Sequence, residues 1–258
     1  GAEAVGYLRL ALDSAPGLID SPDFLGGRGA AYAVNGQYDL ALQDLTNPGL
    51  DGYADIPLWR AVALGKLQDW DQAAAIPGSD PVYALQYPWA FGPDIVLTGA
   101  EILLRAAKVT DSQKALAIAQ PVVTNKVALK SDNPVHRISI ENYNDYLNAE
   151  LARQQGKKDI ARGIWKKLVK SKDDKYRLAL TVLDFDEGKL TSEKAIDQLE
   201  MMRFSWRGDD LEMAIGMRLG EMYLAGGDYI RGLTMLRDTA SLAPDTEIGK
   251  RITAEMTE

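Results

Sequence analysis

Small residues recur along this chain at intervals that leave room for little except paired helices. Ala41, Ala73, Ala115, Ala161, Ala195 and Gly232 are spaced 32, 42, 46, 34 and 37 residues apart. Most of the flanking sequence carries apolar residues three and four apart, the spacing of one face of an α-helix. Alternating runs rich in Val, Ile and Thr, which would signal strands, hardly occur. A period of this size marks a supersecondary unit that cannot bury its apolar face alone and stacks on copies of itself. The expectation is an all-α array of helical hairpins.

The last unit shows the pattern most fully. Over 209–225, Leu211, Ile215, Leu219, Met222 and Tyr223 fall at helical spacing, after Asp209 and Asp210 in cap and dipole positions. Gly226 and Gly227 end that helix, as C-terminal glycines do. A second helix runs from Tyr229 to about Leu242, where Pro244 blocks its extension. Leu219-Gly220, Tyr223, Gly227, Tyr229, Leu236 and Pro244, with Gly232 at the small-residue site, resemble the tetratricopeptide repeat (TPR). Gly216 stands where that pattern ordinarily has Trp.

Fainter copies lie upstream. Gly29, Tyr32, Gly36, Tyr38, Ala41 and Leu45 form one, and Gln68, Trp70 and Ala73 another, cut short by Pro77. Ala106, Thr110 and Ala115 suggest a third. Ala149, Ala152, Gly156, Ala161 and Trp165 make a fourth, and Gly188, Ala195 and Leu199 a fifth. Together these units, about six in number, predict a TPR-like α-solenoid with an irregular insertion near 77–93. The whole of 1–258 is read as a single superhelical domain, and its ends suggest a fragment of a longer protein.

The resemblance implies a protein or peptide partner held in a concave groove lined by the first helix of each pair. Mapped onto this sequence, the groove candidates are Lys108, then Tyr143, Tyr146, Glu150 and Arg153, then Met217 and Glu221. The Pro-rich segment 77–93 adds Tyr87 and Trp89, since aromatic side chains serve as binding anchors. Those same aromatics could equally pack the joint between hairpins. The segment 203–209 also resembles a stretch of large bacterial envelope-associated TPR proteins. That likeness leans the localisation to the periplasm or envelope, with a cytoplasmic setting open.

Composition narrows the chemistry. Cysteine is absent and histidine occurs once, at His136, so thiolate sites and paired imidazoles are ruled out. No P-loop, G-x-S-x-G, H-E-x-x-H or G-x-G-x-x-G occurs, and the reading is a protein that is not an enzyme, with no cofactor and no metal. The net charge of −8 argues against nucleic acid, and no apolar run reaches the length of a membrane span. Charge is unevenly placed: residues 1–100 carry −8 and 153–177 carry +7. Within the basic stretch Lys158, Arg162, Lys166 and Lys170 recur every four residues, forming either a landing strip for an acidic partner or a solvated helix face. Two alternatives to a scaffold remain: head-to-tail self-assembly as a homo-oligomer, and a carbohydrate-binding or carbohydrate-cleaving helical domain around Trp89. The tripeptide Arg207-Gly208-Asp209 reads more naturally as a turn into a helix cap than as an adhesion motif.

Overall fold

The computed structural model describes residues 2–88, 90–124, 134–205, 210–242, 244 and 247–256. Among these residues there are fourteen α-helices and no strand. The chain divides into two compact units, Gly1–Gln154 and Gln155–Glu258. The first holds α1 (Ala2–Ser14), α2 (Pro22–Val34), α3 (Tyr38–Leu45), α4 (Ile56–Lys66), α5 (Trp70–Ala75), α6 (Gly92–Arg105), α7 (Val109–Thr124) and α8 (Pro134–Gln154). The second holds α9 (Lys158–Leu168), α10 (Asp174–Asp186), α11 (Ser192–Ser205), α12 (Asp210–Ala225), α13 (Tyr229–Leu242) and α14 (Glu247–Glu255).

A repeated turn generates the hairpins. After α2, α4, α6, α10 and α12 the chain passes through one residue of positive φ: Gly36, Gln68, Ala107, Gly188 and Gly227. The next residue donates its N–H to a carbonyl five positions back: Gln37 to Tyr32, Asp69 to Leu64, Lys108 to Leu103, Lys189 to Asp184 and Asp228 to Tyr223. The positive-φ residue itself donates three back, as in Gly36 to Ala33 at 3.1 Å and Gly227 to Leu224 at 3.0 Å. This is the Schellman closure, which satisfies the last carbonyls of a helix and reverses the chain within about two residues. Gly156, just past α8, has a φ of 78° as well.

Two of these turns lack glycine. The left-handed conformation costs a residue with a Cβ roughly 1–2 kcal/mol, and glycine returns part of that through its freer unfolded chain. Ala107→Gly is therefore expected to stabilise unit one by about 0.5–1 kcal/mol, read as a raised urea midpoint. A lowered midpoint would contradict the turn assignment.

The seam residues behave alike. Ala41, Ala73, Ala161 and Ala195 are completely buried, Ala115 nearly so, and Gly232 is buried. Close approach explains why they are small. A Cβ at Gly29 would lie 2.6 Å from Leu45 Cγ, and one at Gly220 would lie 2.5 Å from Leu236 Cγ. Gly220 and Gly232 face each other almost backbone to backbone across α12 and α13.

Stacking is regular within each unit. In the first, α4 packs on α2 and α3, α6 on α4 and α5, and α8 on α6 and α7. In the second, α12 packs on α10 and α11, and α14 on α13. The insertion 77–93 forms a 3-10 helix at Pro81–Gln86 that packs against α6, and Gly78 turns with φ 77°. Asp80 caps that short helix by accepting from Val82 N–H at 2.9 Å.

Candidate protein-binding face

α6 is the most deeply buried helix of the first unit, with Ile95, Val96, Leu97, Ala100, Ile102 and Leu104 all in the core. A carboxylate in such a run is costly unless it is paired and hydrogen-bonded. Glu101 is that carboxylate, and its partners come from two helices. The Tyr143 hydroxyl on α8 donates to Glu101 Oε2, and Arg105 Nη2 lies 3.2 Å from Glu101 Oε1. Arg105 also stacks over the Trp70 ring at 5.5 Å, and Lys66 of α4 stands 6.0 Å above the Tyr143 ring. Burial, and next the charge of Glu101, raise the Tyr143 hydroxyl well above the usual phenol range, so it stays a donor.

Two to three turns further along α8, Arg153 grips Glu150 with Nε at 2.9 Å and Nη2 at 2.6 Å. Gln154 Nε2 bridges Glu150 Oε1 at 3.0 Å and the Leu104 carbonyl at 2.9 Å, tying α8 to α6. The two ion pairs share an asymmetry. The carboxylates of Glu101 and Glu150 lie inside, with side chains 8% and 19% exposed. The side chains of Arg105 and Arg153 are part-exposed, at 45% and 43%. The α4–α6–α8 face thus sets part-exposed arginines against internal carboxylates.

The sequence-derived candidates fall into several settings. Tyr143, Glu150 and Arg153 belong to this cluster. Tyr146 shares their helix but is buried. Lys108 reaches the Ala74 carbonyl with Nζ at 2.5 Å, pinning the start of α7 to the end of α5. Met217 is buried with Leu236, Ala240 and Ile252, where α12 meets α13 and α14, and it offers a partner no surface. Glu221 is half-buried and paired with Arg218 at 2.5 Å. Tyr87 is half-buried; its hydroxyl accepts from Trp59 Nε1 at 2.8 Å and donates to Asp55, and its ring packs 5.7 Å from Phe91. Burial, reinforced by the Asp55 bond, pushes that phenol's pKa upward. Trp89 lies outside the described residues, as do Arg207-Gly208-Asp209 and the side chain of His136.

Sequence reasoning missed Glu101, Arg105 and Lys66. The available signal was an acid in the middle of the apolar run of α6. Its partner Tyr143, 42 residues away, carried no mark of the pairing.

The basic stripe of the second unit is not a uniform cationic surface. Arg162 is buried, with Nε 2.6 Å from Asp184, Nη1 2.6 Å from Asp159, and Nη2 on Glu187. Lys158 lies 3.5 Å from Glu187. Lys166 and Lys170 are exposed. Hydrogen bonds from Arg162, then Lys189, hold the Glu187 carboxyl at about 2, below the ordinary 4.5. A depressed folded-state pKa means a contribution to stability that is present above the unfolded value and lost as pH falls through the folded one. Glu187→Gln is expected to be less stable than the parent near neutral pH. The gap should close as pH falls from about 4.5 to about 2 in urea titrations. A gap that stays constant over that window would contradict the pairing.

Among the described residues no cluster of His, Asp or Glu is arranged to hold a metal ion, and no helix is long and apolar enough to cross a membrane. No protein-family model matches the sequence. No curated protein matches it either. The fold does have a counterpart: the crystal structure of a tetratricopeptide repeat protein from Parabacteroides merdae ATCC 43184 superposes with a TM-score of 0.62. The match covers 100% of this chain and 92% of that one, at 16% identity. The chain has a TPR-like fold. At that identity the likeness concerns architecture. It agrees with the TPR-like turns and seams described above, and TPR-like arrays commonly mediate contacts between proteins.

Proposed function

We propose that this TPR-like chain is a non-catalytic scaffold that binds a protein segment across the first-helix face of α4, α6 and α8. The observation that carries the reading is the orientation of the two ion pairs. Arg105 and Arg153 are held by internal carboxylates while their side chains stay part-exposed. Such pre-set guanidiniums suit backbone carbonyls and carboxylates of an extended partner, because little rotamer freedom is lost on binding. Tyr143 and Tyr146 support the face from beneath.

The test compares the chain with its Arg105→Gln/Arg153→Gln variant as baits in the native extract, by quantitative mass spectrometry. Losing Arg105 leaves the buried Glu101 carboxylate without its cation, so circular dichroism and a urea midpoint first establish that the variant is folded. A protein retained by the parent and depleted about tenfold or more by the variant is the expected result, equivalent to about 1.4 kcal/mol of lost contact. Equal recovery of every protein by both baits would remove this face as the binding site.

A further inference from the structure

The insertion before α6 meets α4 and α6 through a single stripe of side chains. Its 3-10 helix, Pro81–Gln86, turns once in three residues, so Pro81 and Ala84 share one side and Tyr87 follows at the same interval. Pro81 and Ala84 are buried. Pro81 sits against Gly99 of α6, where an added Cβ would lie 2.8 Å from its Cγ and 3.9 Å from Leu58 Cδ1 of α4. Gly92, at the start of α6, lets the Ala84 and Tyr87 carbonyls come close; each would lie 3.0 Å from a Cβ placed there. Tyr87 reaches α4, with its ring 5.4 Å from that of Trp59 and its hydroxyl bonded to Trp59 Nε1 and Asp55. Asp55 and Trp59 stand eleven and seven residues before Lys66, on one face of α4.

The other side of the segment is bare. Val82 and Leu85 are 42% and 44% exposed, and Gln86 is exposed. Its backbone bonds close on themselves. Val82 N–H donates to Asp80 Oδ1 at 2.9 Å, Tyr83 N–H to the Asp80 carbonyl at 3.2 Å, and Tyr87 N–H to the Ala84 carbonyl at 3.1 Å. These bonds travel with the segment if it lifts away, whereas those of the Tyr87 hydroxyl do not.

We infer that the cleft between α4 and α6 is a peptide site on the proposed binding face, and that residues 81–87 are its tethered occupant. The inference rests on the scaffold reading and names what the partner must offer. A partner segment displaces 81–87 with the same stripe: a proline over Gly99, a small residue three positions on beside Gly92, and a tyrosine three further on. That tyrosine places its hydroxyl between Trp59 Nε1 and Asp55. Tethering sets the threshold for entry, since a segment on a short linker competes at an effective concentration on the order of millimolar.

Tyr87→Phe keeps the ring and removes the hydroxyl, so it loosens the occupant without emptying the core. In hydrogen exchange, the amides of residues 83 and 87 should exchange about tenfold faster in this variant, with α4 and α6 unchanged. Faster exchange of α4 and α6 alongside them, or no change at 83 and 87, would make the segment part of the core and overturn the inference. The second arm uses a fluorescent peptide of residues 79–88, followed by anisotropy. It should bind the Tyr87→Phe chain about tenfold more tightly than the parent, because apparent affinity scales with the fraction of open sites. The peptide's own Tyr87→Ala version should not bind. Equal binding to both chains, binding to neither, or binding by the alanine peptide overturns the inference. Neither arm uses Arg105 or Arg153, so a failure here and a failure of the bait comparison are read separately.

Discussion

Replacing Trp165 with alanine is expected to cost about 3–5 kcal/mol, the range for removing a large side chain from a packed core. Among the described residues Trp165 is the largest fully buried side chain, 1% exposed, four residues after the completely buried Ala161. Its loss removes transfer free energy and leaves a cavity that neighbouring helices fill only in part. Domains have a total stability of about 5–15 kcal/mol, so the substitution should bring unit two close to unfolding at ambient temperature. The urea midpoint followed by far-ultraviolet circular dichroism is the readout. Trp165→Phe should lose much less. A change below about 1 kcal/mol for the alanine variant would place Trp165 at the surface.

The second large effect is a substitution toward the TPR pattern. Gly216 occupies the site where that pattern has Trp, and Thr239 explains the departure. A Cβ at Gly216 would overlap Thr239 Oγ1 and lie 3.3 Å from Thr239 Cβ. Thr239 is buried, and its hydroxyl donates to the Met235 carbonyl at 2.8 Å. The threonine of α13 takes space that a tryptophan of α12 would need. Gly216→Trp is therefore expected to destabilise unit two by about 3 kcal/mol or more, at the upper end of overpacking effects. Pairing it with Thr239→Gly should recover part of that loss, with a coupling of about 1 kcal/mol or larger in a double-mutant cycle. Strict additivity would mean the two residues do not compete for one space.

These residues show where the sequence was informative. Small side chains at seams are forced by backbone approach, so every seam residue read from spacing proved buried, from Ala41 to Gly232. Turn glycines were equally legible at Gly36, Gly188 and Gly227, since positive φ favours glycine. Where other residues occupy that conformation the signal blurs: the α6–α7 pair turns at Ala107, a residue the pattern did not mark. Binding-face chemistry was harder to see. Glu101 meets Tyr143 only because α6 and α8 stack, and no local pattern records which side chains stacking brings together. Arg162 looked like one of four equivalent cations, and only the folded unit surrounds it with Asp159, Asp184 and Glu187. Likewise Met217 sits at a groove-facing register, but α14 lies over it.

The central claim is that first helices of unit one carry the partner. The most direct measurement is hydrogen exchange on the chain with and without the protein captured by the parent bait. Slowed exchange confined to α4, α6 and α8, and weakened in the Arg105→Gln/Arg153→Gln variant, is the predicted result. Slowed exchange on α3, α5 and α7, with α4, α6 and α8 unchanged, would contradict it.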